Sequence, residues 1–322
     1  MKQQRNRHTF LDIEAASERL SAIWDIELVQ SGAGPLRLDF CQASLGGCLV
    51  YECRTNVELI ASGSRSEHYV TISPITDDCA ASRYRGTELQ ADQLLFMEPR
   101  GEVFQQFASG HRQLAVSIPV DLFRRVAAAE FLPEERVEDF LVWRNLVPNY
   151  NKLKRLRRTL GGMLRGEVPP FIASDADVSV TEIVLGVLFD CETRDTKVAS
   201  HQARRRIIWE SLDLIHAFPH YSPSILELCE ATGASRRTLF YAFDELLGVS
   251  PNAYIKKFRL GEARRIIIQN RDQRCVQRVA RELGFTHEGQ FSIDYSCAFG
   301  ESPSETRRRF LGLNKGVPVN TD

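Results

Sequence analysis

The feature that most constrains this chain is an internal repeat near its C-terminus. Shifted by 52 residues, segment 228–251 overlays segment 280–303. The positions that match are apolar or belong to a Gly-x-Ser-Pro turn: Leu239 and Phe291, Phe243 and Tyr295, Gly248 and Gly300, Pro251 and Pro303. A sequence repeated at a fixed offset predicts that one supersecondary unit is built twice.

The first copy has the pattern of two short helices joined by a tight turn. Helices are predicted over 223–231 and 236–247, with Gly233 in the turn and Ser235 as the N-cap of the second helix. Two helices joined by a short turn that contains glycine are typical of a helix-turn-helix motif. A plain helical bundle is the alternative interpretation, since single motifs of this kind arise by chance.

The second copy repeats this pattern. It predicts helices over 276–283 and 287–299, with Thr286 as the N-cap of the latter. A long helix over 252–269 connects the copies, and the prolines of the repeated turns lie where a following helix begins. Two copies on one connecting helix favour a pair of helix-turn-helix units over a plain bundle.

Charge divides the chain in the same way. Residues 201–322 hold 18 Lys and Arg against 14 Asp and Glu, a net charge of +4, whereas residues 1–200 hold 23 against 28, a net charge of −5. A basic C-terminal part joined to an acidic N-terminal part suggests a polyanion-binding module with a separate partner.

The C-terminal motifs resemble a known family. The carrying stretches are Ser-Arg-Arg-Thr-Leu-Phe-Tyr-Ala-Phe at 235–243, Gly-Val-Ser-Pro-Asn-Ala-Tyr at 248–254 and Val-Ala-Arg-Glu-Leu-Gly-Phe at 279–285. Segment 224–310 is similar to the double helix-turn-helix domain of AraC/XylS-type transcriptional regulators. The resemblance implies a DNA-binding transcription regulator, an activator rather than a repressor, that acts on double-stranded promoter DNA and with RNA polymerase.

The resemblance further implies that the second helix of each unit enters a major groove. The residues placed there are Arg236, Arg237, Phe240 and Tyr241 in the first unit, and His287, Glu288, Gly289, Gln290 and Ile293 in the second. Arg237 can offer a bidentate fork to guanine, and Gln290 can pair with adenine. Phe240 and Ile293 stand at positions where polar residues are common in the family. The second helix is therefore expected to recognise bases weakly, or through apolar contacts with thymine methyl groups.

The N-terminal part has a different pattern. Short β-like runs at 36–40, 48–51, 68–72, 94–97 and 114–118 are separated by glycines and prolines, which favours a sandwich or small barrel. Helical periodicity follows at 120–130, 149–164 and 178–191. The predicted fold class is α+β, and the resemblance implies a cupin-like sensor over 1–195 joined through a polar linker at 190–201 to the DNA-binding domain at 201–322.

A sensor of this kind predicts a small-molecule effector and a homodimer. Side chains able to line a barrel mouth are Tyr51, His68, Tyr69, Phe96, Phe104 and His111. The predicted helix at 149–164 carries an apolar stripe formed by Leu153, Leu156 and Leu160, which we assign to the dimer seam. Lysines and arginines surround that stripe, and they favour a solvated helix face over a DNA contact.

The sequence motifs give little support for an enzyme. A cupin-type metal enzyme with an appended DNA-binding domain is the alternative function, but it needs two histidines one residue apart, and His68 and His111 each stand alone. The eight cysteines form no Cys-x-x-Cys pair and are expected to be reduced and mostly buried. No phosphate-binding or nucleophile motif occurs. We therefore expect no enzyme activity, no cofactor and no metal.

The polar N-terminus and the hydropathy of the chain indicate where the protein is located. The N-terminus is polar, no run approaches the roughly 18 apolar residues of a membrane helix, and 26% of the residues are charged. A cytoplasmic protein without a membrane partner is the expectation.

Overall fold

The computed structural model describes residues 4–21, 24–76, 79, 81–130, 137–138, 141, 144–167, 175–189, 191–193, 198–269 and 275–313. The strands are β1 (Gln4–Phe10), β2 (Asp25–Gln30), β3 (Leu38–Leu45), β4 (Cys48–Thr55), β5 (Leu59–Ser64), β6 (Tyr69–Pro74), β7 (Arg83–Tyr84), β8 (Thr87–Glu88), β9 (Leu94–Met97), β10 (Glu102–Phe107), β11 (Arg112–Pro119), β12 (Arg144–Val147) and β13 (Glu192–Thr193). The helices are α1 (Ile13–Ser21), α2 (Val120–Ala129), α3 (Tyr150–Arg165), α4 (Ala176–Leu188), α5 (Val198–Ala217), α6 (Ile225–Thr232), α7 (Arg236–Leu247), α8 (Pro251–Gln269), α9 (Val276–Glu282), α10 (Glu288–Phe299) and α11 (Pro303–Leu313).

Contacts divide the chain into two compact units. The first comprises Met1–Leu28, Arg37–Asn56 and Ala61–Lys197, and the second comprises Val29–Leu36, Val57–Ile60 and Val198–Asp322. The strands form a larger sheet in the order β1-β3-β4-β11-β6-β9-β12-β13 and a smaller sheet in the order β2-β5-β10-β7-β8. Sheets followed by helices confirm the predicted α+β class.

The larger sheet has two chemically different faces. Val116 of β11 is in register with Val50 of β4 and Ile72 of β6, and the neighbouring Ser117 is in register with Leu49 and Thr71. Successive side chains of a strand point to opposite faces. The valine and isoleucine row belongs to the main apolar core. The row that holds Ser117 therefore lies on the opposite face of the sheet, away from this core.

Helices α2, α3 and α4 cover the apolar face of this sheet. Helix α3 begins after Asn149, whose side chain accepts hydrogen bonds from two backbone amides, and it ends at Gly166 in the left-handed conformation (φ 89°). Its apolar stripe was assigned to a dimer seam, but Leu153, Leu156 and Leu160 are 1%, 0% and 0% exposed in the single chain. They pack in the main core, so a seam between two copies cannot consist of these side chains.

The predicted strands are confirmed where the apolar pattern is strong. Elsewhere the structure contains strands that the sequence pattern did not predict. The run 94–97 is β9, and the other four predicted runs all overlap longer strands. Strand β1 was missed because its sequence, Gln-Arg-Asn-Arg-His-Thr-Phe, has no apolar alternation; it forms the edge of the larger sheet and pairs in full with β3. Strand β12 was also missed, since it lies among helices in sequence and joins β9 in space.

The second unit is helical. Helix α5 begins at Val198, within the stretch expected to be a linker; residues 190 and 194–197 of that stretch lie outside the described residues. Helix α7 has the predicted bounds, and Pro251 and Pro303 are the first residues of α8 and α11 as expected. None of the described helices combines the length and apolar character that a membrane span requires.

Candidate nucleic-acid interface

Helices α6 and α7 form the first helix-turn-helix. Ser224 and Glu227 form a reciprocal capping box at the start of α6, and Gly233 ends the helix in the left-handed region (φ 63°). Ser235 caps α7 by accepting a hydrogen bond from the amide of Thr238, as predicted. The turn between the helices is thus defined by local residues at both of its ends.

The inner face of α7 is apolar and buried. Leu239, Phe243 and Leu246 are completely buried, and Leu247 is 1% exposed. Packing of this face against α5, α6 and α8 orients the rest of α7 towards solvent. The predicted inner positions of the first copy are therefore the ones that form its core.

The outer face of α7 carries the predicted DNA contacts, and we call it the α7 face: Arg236, Arg237, Phe240 and Tyr241. Arg236 lies over the half-buried Phe240 ring at 5.5 Å, and Arg237 lies over the exposed Tyr241 ring at 5.4 Å. Arg237 also donates to the Tyr241 hydroxyl at 3.3 Å. Neither guanidinium is paired with a carboxylate among the described residues, so both positive charges are available to a phosphate or a base edge.

Helices α9 and α10 form the second helix-turn-helix. Gly284 supplies the left-handed residue of its turn (φ 73°). The N-cap of α10 is His287, not Thr286 as predicted, and its side chain makes no capping hydrogen bond. The repeat itself places His287 opposite Ser235, because these positions are 52 residues apart. The correct boundary was therefore present in the repeat but hidden by the capping preference of threonine.

The outer face of α10, which we call the α10 face, contains His287, Glu288, Gly289, Gln290 and Ile293. All are exposed except Glu288, which is partly buried and pairs with Arg281 at 3.0 Å. Gln290 donates to Asp294 at 3.1 Å, and Asp294 also pairs with Lys256 at 2.7 Å.

Ile293 is 64% exposed. Glu288 and Gln290 of the α10 face are thus each engaged by a neighbouring side chain of opposite or complementary character, Arg281 and Asp294 respectively.

A buried polar network holds the second unit together. Arg264 of α8 is 4% exposed, pairs with Glu301 at 2.8 Å and lies over the Phe299 ring at 4.8 Å. Tyr295 donates to Thr306 at 3.0 Å, and burial raises the pKa of Tyr295 to about 12. The sequence pattern does not single out Arg264 as a buried residue. Its burial depends on contacts from α10 and α11, which no local pattern announces.

The N-terminal candidates are not brought together. Tyr51, Phe96, Phe104 and His111 are buried, and His68 is exposed beside Glu67 at 3.8 Å. Of the six predicted ligand-facing residues, only Tyr69 lines the cavity of about 410 Å³ that the first unit contains. The other lining residues are Trp24, Ser44, Gly46, Gly47, Cys48, Leu49, Arg65, Ser66, Thr71 and Ser117. None of these was predicted, because they come from separate strands that only the sheet register aligns.

His111 is a core residue. It is completely buried, its Nδ1 lies 2.8 Å from the Ser82 hydroxyl, and burial lowers its pKa to about 4. Ser82 also accepts a hydrogen bond from the amide of Ala108 at 2.9 Å, which leaves the hydroxyl proton for Nδ1. His111 thus ties the turn before β11 to the strand region at residue 82 as a neutral imidazole.

The cysteines differ from the expectation of mostly buried thiols. None of the eight forms a disulfide bond, but only Cys48 and Cys79 are buried, whereas Cys275 and Cys297 are exposed. Burial raises the pKa of both Cys48 and Cys53 to about 12, which makes these thiols poor nucleophiles. Within the described residues, no group of three or more His, Cys, Asp or Glu side chains is arranged to hold a metal ion.

Comparison with known proteins concerns the C-terminal helices. A family described as a helix-turn-helix domain matches residues 228–309. The XylDLEGF operon transcriptional activator 3 of Pseudomonas putida is 37% identical over 89 residues, 27% of this chain and 27% of that protein. The transcriptional activator RhaR of Klebsiella pneumoniae is 31% identical over 88 residues, 27% of this chain and 31% of that protein. The matched region thus spans about a quarter to a third of these relatives.

A solved structure extends over the same region. The crystal structure of a probable AraC family transcriptional regulator from Rhodopseudomonas palustris is 34% identical and covers 34% of this chain and 97% of its own, with a TM-score of 0.31. The sequence matches coincide with the two helix-turn-helix units described above. The C-terminal region of this chain is therefore similar to the helix-turn-helix domain of AraC/XylS-type transcriptional regulators.

Proposed function

We propose that this protein is a sequence-specific, double-stranded-DNA-binding transcriptional regulator. The observation that carries the proposal is the α7 face, where two unpaired arginines project from a helix whose opposite side is completely buried. Arginine is the side chain best suited to bidentate recognition of guanine and phosphate. The names of the relatives, which are activators of operons, favour activation over repression.

The two helix-turn-helix units have unequal roles in this proposal. The α7 face supplies base recognition and most of the affinity, because its cations are free. The α10 face supplies weaker contacts, since Glu288 and Asp294 partly neutralise their basic neighbours. Its exposed Ile293 is suited to a thymine methyl group.

The first unit would serve as the sensor in this scheme. We propose that it binds a small-molecule effector, that the protein acts as a homodimer, and that the division near residues 195–201 separates sensing from DNA binding. An effector changes DNA affinity only if it binds two arrangements of the protein unequally. Contact with RNA polymerase at the promoter completes the proposed activator.

Binding by the purified full chain tests the proposal. A duplex is first selected from random sequence, and its affinity is measured by fluorescence anisotropy over a range of salt concentrations. We expect the affinity to fall steeply as salt rises, because lysines and arginines release counterions from phosphates. Footprinting should show protection of two major-groove segments about 34 Å apart.

Variants of the α7 face give the sharper result. The double substitution Arg236→Ala with Arg237→Ala should weaken binding by roughly 100-fold, which corresponds to the loss of two contacts of 1–3 kcal/mol each. Arg124→Ala, at an equally solvated position of α2, should leave binding unchanged. Failure to select any preferred duplex, or equal weakening by the Arg124 variant, would contradict the proposal.

A further inference from the structure

The cavity of the first unit is built on one row of the larger sheet. Ser44, Leu49, Ser117, Thr71 and Met97 are in register across β3, β4, β11, β6 and β9, on the face opposite the helix-covered core. The Thr71 and Ser117 hydroxyl groups lie 2.9 Å apart and are buried. The cavity therefore has a short polar floor, on the sheet face opposite the row of Val50, Val116 and Ile72 that belongs to the main apolar core.

Its walls are mainly apolar. Trp24 and Tyr69 contribute aromatic surface, and Trp24 is held edge-on against Tyr51 with ring centroids 4.8 Å apart. The glycines of the β3–β4 turn, Gly46 and Gly47, complete one side. A volume of about 410 Å³ lies in the range of small-molecule sites. These walls suit the hydrocarbon part of a small organic molecule.

Among the described residues, Arg65 supplies the only formal charge in the cavity lining, and it forms no ion pair with a carboxylate. Its guanidinium contacts the sulfur of Met97 and has the Tyr51 and Tyr84 hydroxyl groups as hydrogen-bond partners. Its Nε is buried without a partner.

Tyr51 does not neutralise this charge. Burial raises the pKa of Tyr51 despite the guanidinium beside it, so the phenol stays protonated near neutral pH. A cation removed from water without a counter-charge is costly, and the cost is recovered when an anion binds it. An arginine without a carboxylate partner among the described residues, in the lining of a largely apolar cavity, is accordingly suited to binding a carboxylate.

We propose that this cavity binds a small organic monoanion, a carboxylate with an apolar body, through Arg65. The body packs against Trp24, Leu49 and Tyr69, and the carboxylate receives hydrogen bonds from the guanidinium. The inference rests on the proposed function in that it names the chemical class of the effector. The binding site itself is measured without DNA, so its failure and the failure of DNA binding are separate results.

Calorimetric titration of the purified full chain tests the site with octanoate, cyclohexanecarboxylate and 3-phenylpropanoate. Each acid is compared with its primary amide, which keeps the shape and removes the charge. We expect at least one acid to bind roughly 10-fold or more tightly than its amide, because hydrogen bonds to charged groups contribute that much. Equal binding of acids and amides, or no binding of any of the three acids at millimolar concentration, overturns the proposal.

Variants identify the group responsible. Arg65→Met, which keeps the length and loses the charge, should abolish the preference for acid over amide. Arg65→Lys should weaken acid binding but retain the preference, and it decides the matter if the methionine variant does not fold. Arg37→Met, at an exposed position paired with Asp39, serves as the matched control and should bind as the parent does. Unchanged acid binding by both Arg65 variants overturns the assignment.

Discussion

At the scale of single residues, Arg237 and Leu239 show how one helix separates two roles. They lie two positions apart on α7, yet Arg237 is exposed and Leu239 is completely buried. A helix turns by about 100° per residue, so positions two apart point to nearly opposite sides. The chemistry of each residue therefore acts on a different property of the protein.

This separation gives the first prediction. Arg237→Ala should weaken binding to the preferred duplex by about 1–3 kcal/mol and relax base preference at one position. Leu239→Ala should instead lower the free energy of unfolding by about 2–5 kcal/mol, since it leaves a cavity in the core of the first unit. Denaturant titration and anisotropy measure the two effects. Equal loss of stability in both variants would show that the two faces are wrongly assigned.

A second prediction at this scale concerns pH. The pKa of His111 is about 4 in the folded protein against 6.5 for an exposed imidazole. As pH falls below 6.5, the His111 imidazole binds a proton in the unfolded chain but stays neutral in the folded chain until the pH approaches 4. Stability should therefore be complete above pH 6.5 and fall by about 1.4 kcal/mol per pH unit towards pH 4.

The variant His111→Gln isolates this contribution. Glutamine can still hydrogen-bond Ser82 but does not titrate, so its unfolding free energy should change less between pH 7 and pH 5 than that of the parent. Denaturant titrations at the two pH values measure the difference. An equal change in parent and variant would assign the pH dependence to other groups, among them His216, whose pKa burial also lowers to about 4.

At the scale of elements, the two helix-turn-helix units share an inner pattern and differ at their second N-caps. Ser235 caps α7 through its hydroxyl, whereas His287 begins α10 without a side-chain cap. We predict that Ser235→Ala lowers the free energy of unfolding by about 1 kcal/mol, the usual cost of a lost N-cap. Thr286→Ala should have no such effect, because Thr286 precedes the cap. Thermal or chemical unfolding of both variants compares them, and a larger loss for Thr286→Ala would contradict the helix boundary described here.

The elements also show where sequence patterns were reliable. Helix α7 begins and ends at the predicted residues, because a hydroxyl cap and Gly248 mark its two ends within one helix length. Helix α4 was predicted over 178–191 and lies at Ala176–Leu188; its N-cap position, Asp175, makes no side-chain capping bond. Local signals define a boundary only where the capping interaction is itself local.

At the scale of the whole molecule, the main core buries an apolar helix face that the sequence pattern had suggested for dimerisation. Leu156 of α3 lies at the centre of that core rather than on a dimer seam. We predict that Leu156→Ala lowers the free energy of unfolding by about 2–5 kcal/mol and leaves the association state of the folded protein unchanged. Sedimentation velocity together with denaturant titration tests both statements. Dissociation of a dimer without loss of stability would return Leu156 to the interface.

Several properties of this protein follow from the sequence alone. The 52-residue repeat, the alternation of buried and exposed positions on α7 and the helix-turn-helix domain at 228–309 depend on residues close together in the chain, and these were predicted correctly. The α+β class likewise follows from the change of apolar period near Pro119. Such signals persist because helices and turns are stabilised largely by neighbours a few positions away.

Only the tertiary structure decided which residues share a site. The cavity floor exists because three strand pairings align Ser44, Ser117 and Thr71 in one row, and a shift of one residue in any pairing would turn those side chains to the other face. The leucines of α3 became core for the same reason, since an apolar stripe does not state which surface covers it. Strand register and packing between distant segments determined both the lining of the cavity and the burial of these leucines, and no local sequence pattern specifies either.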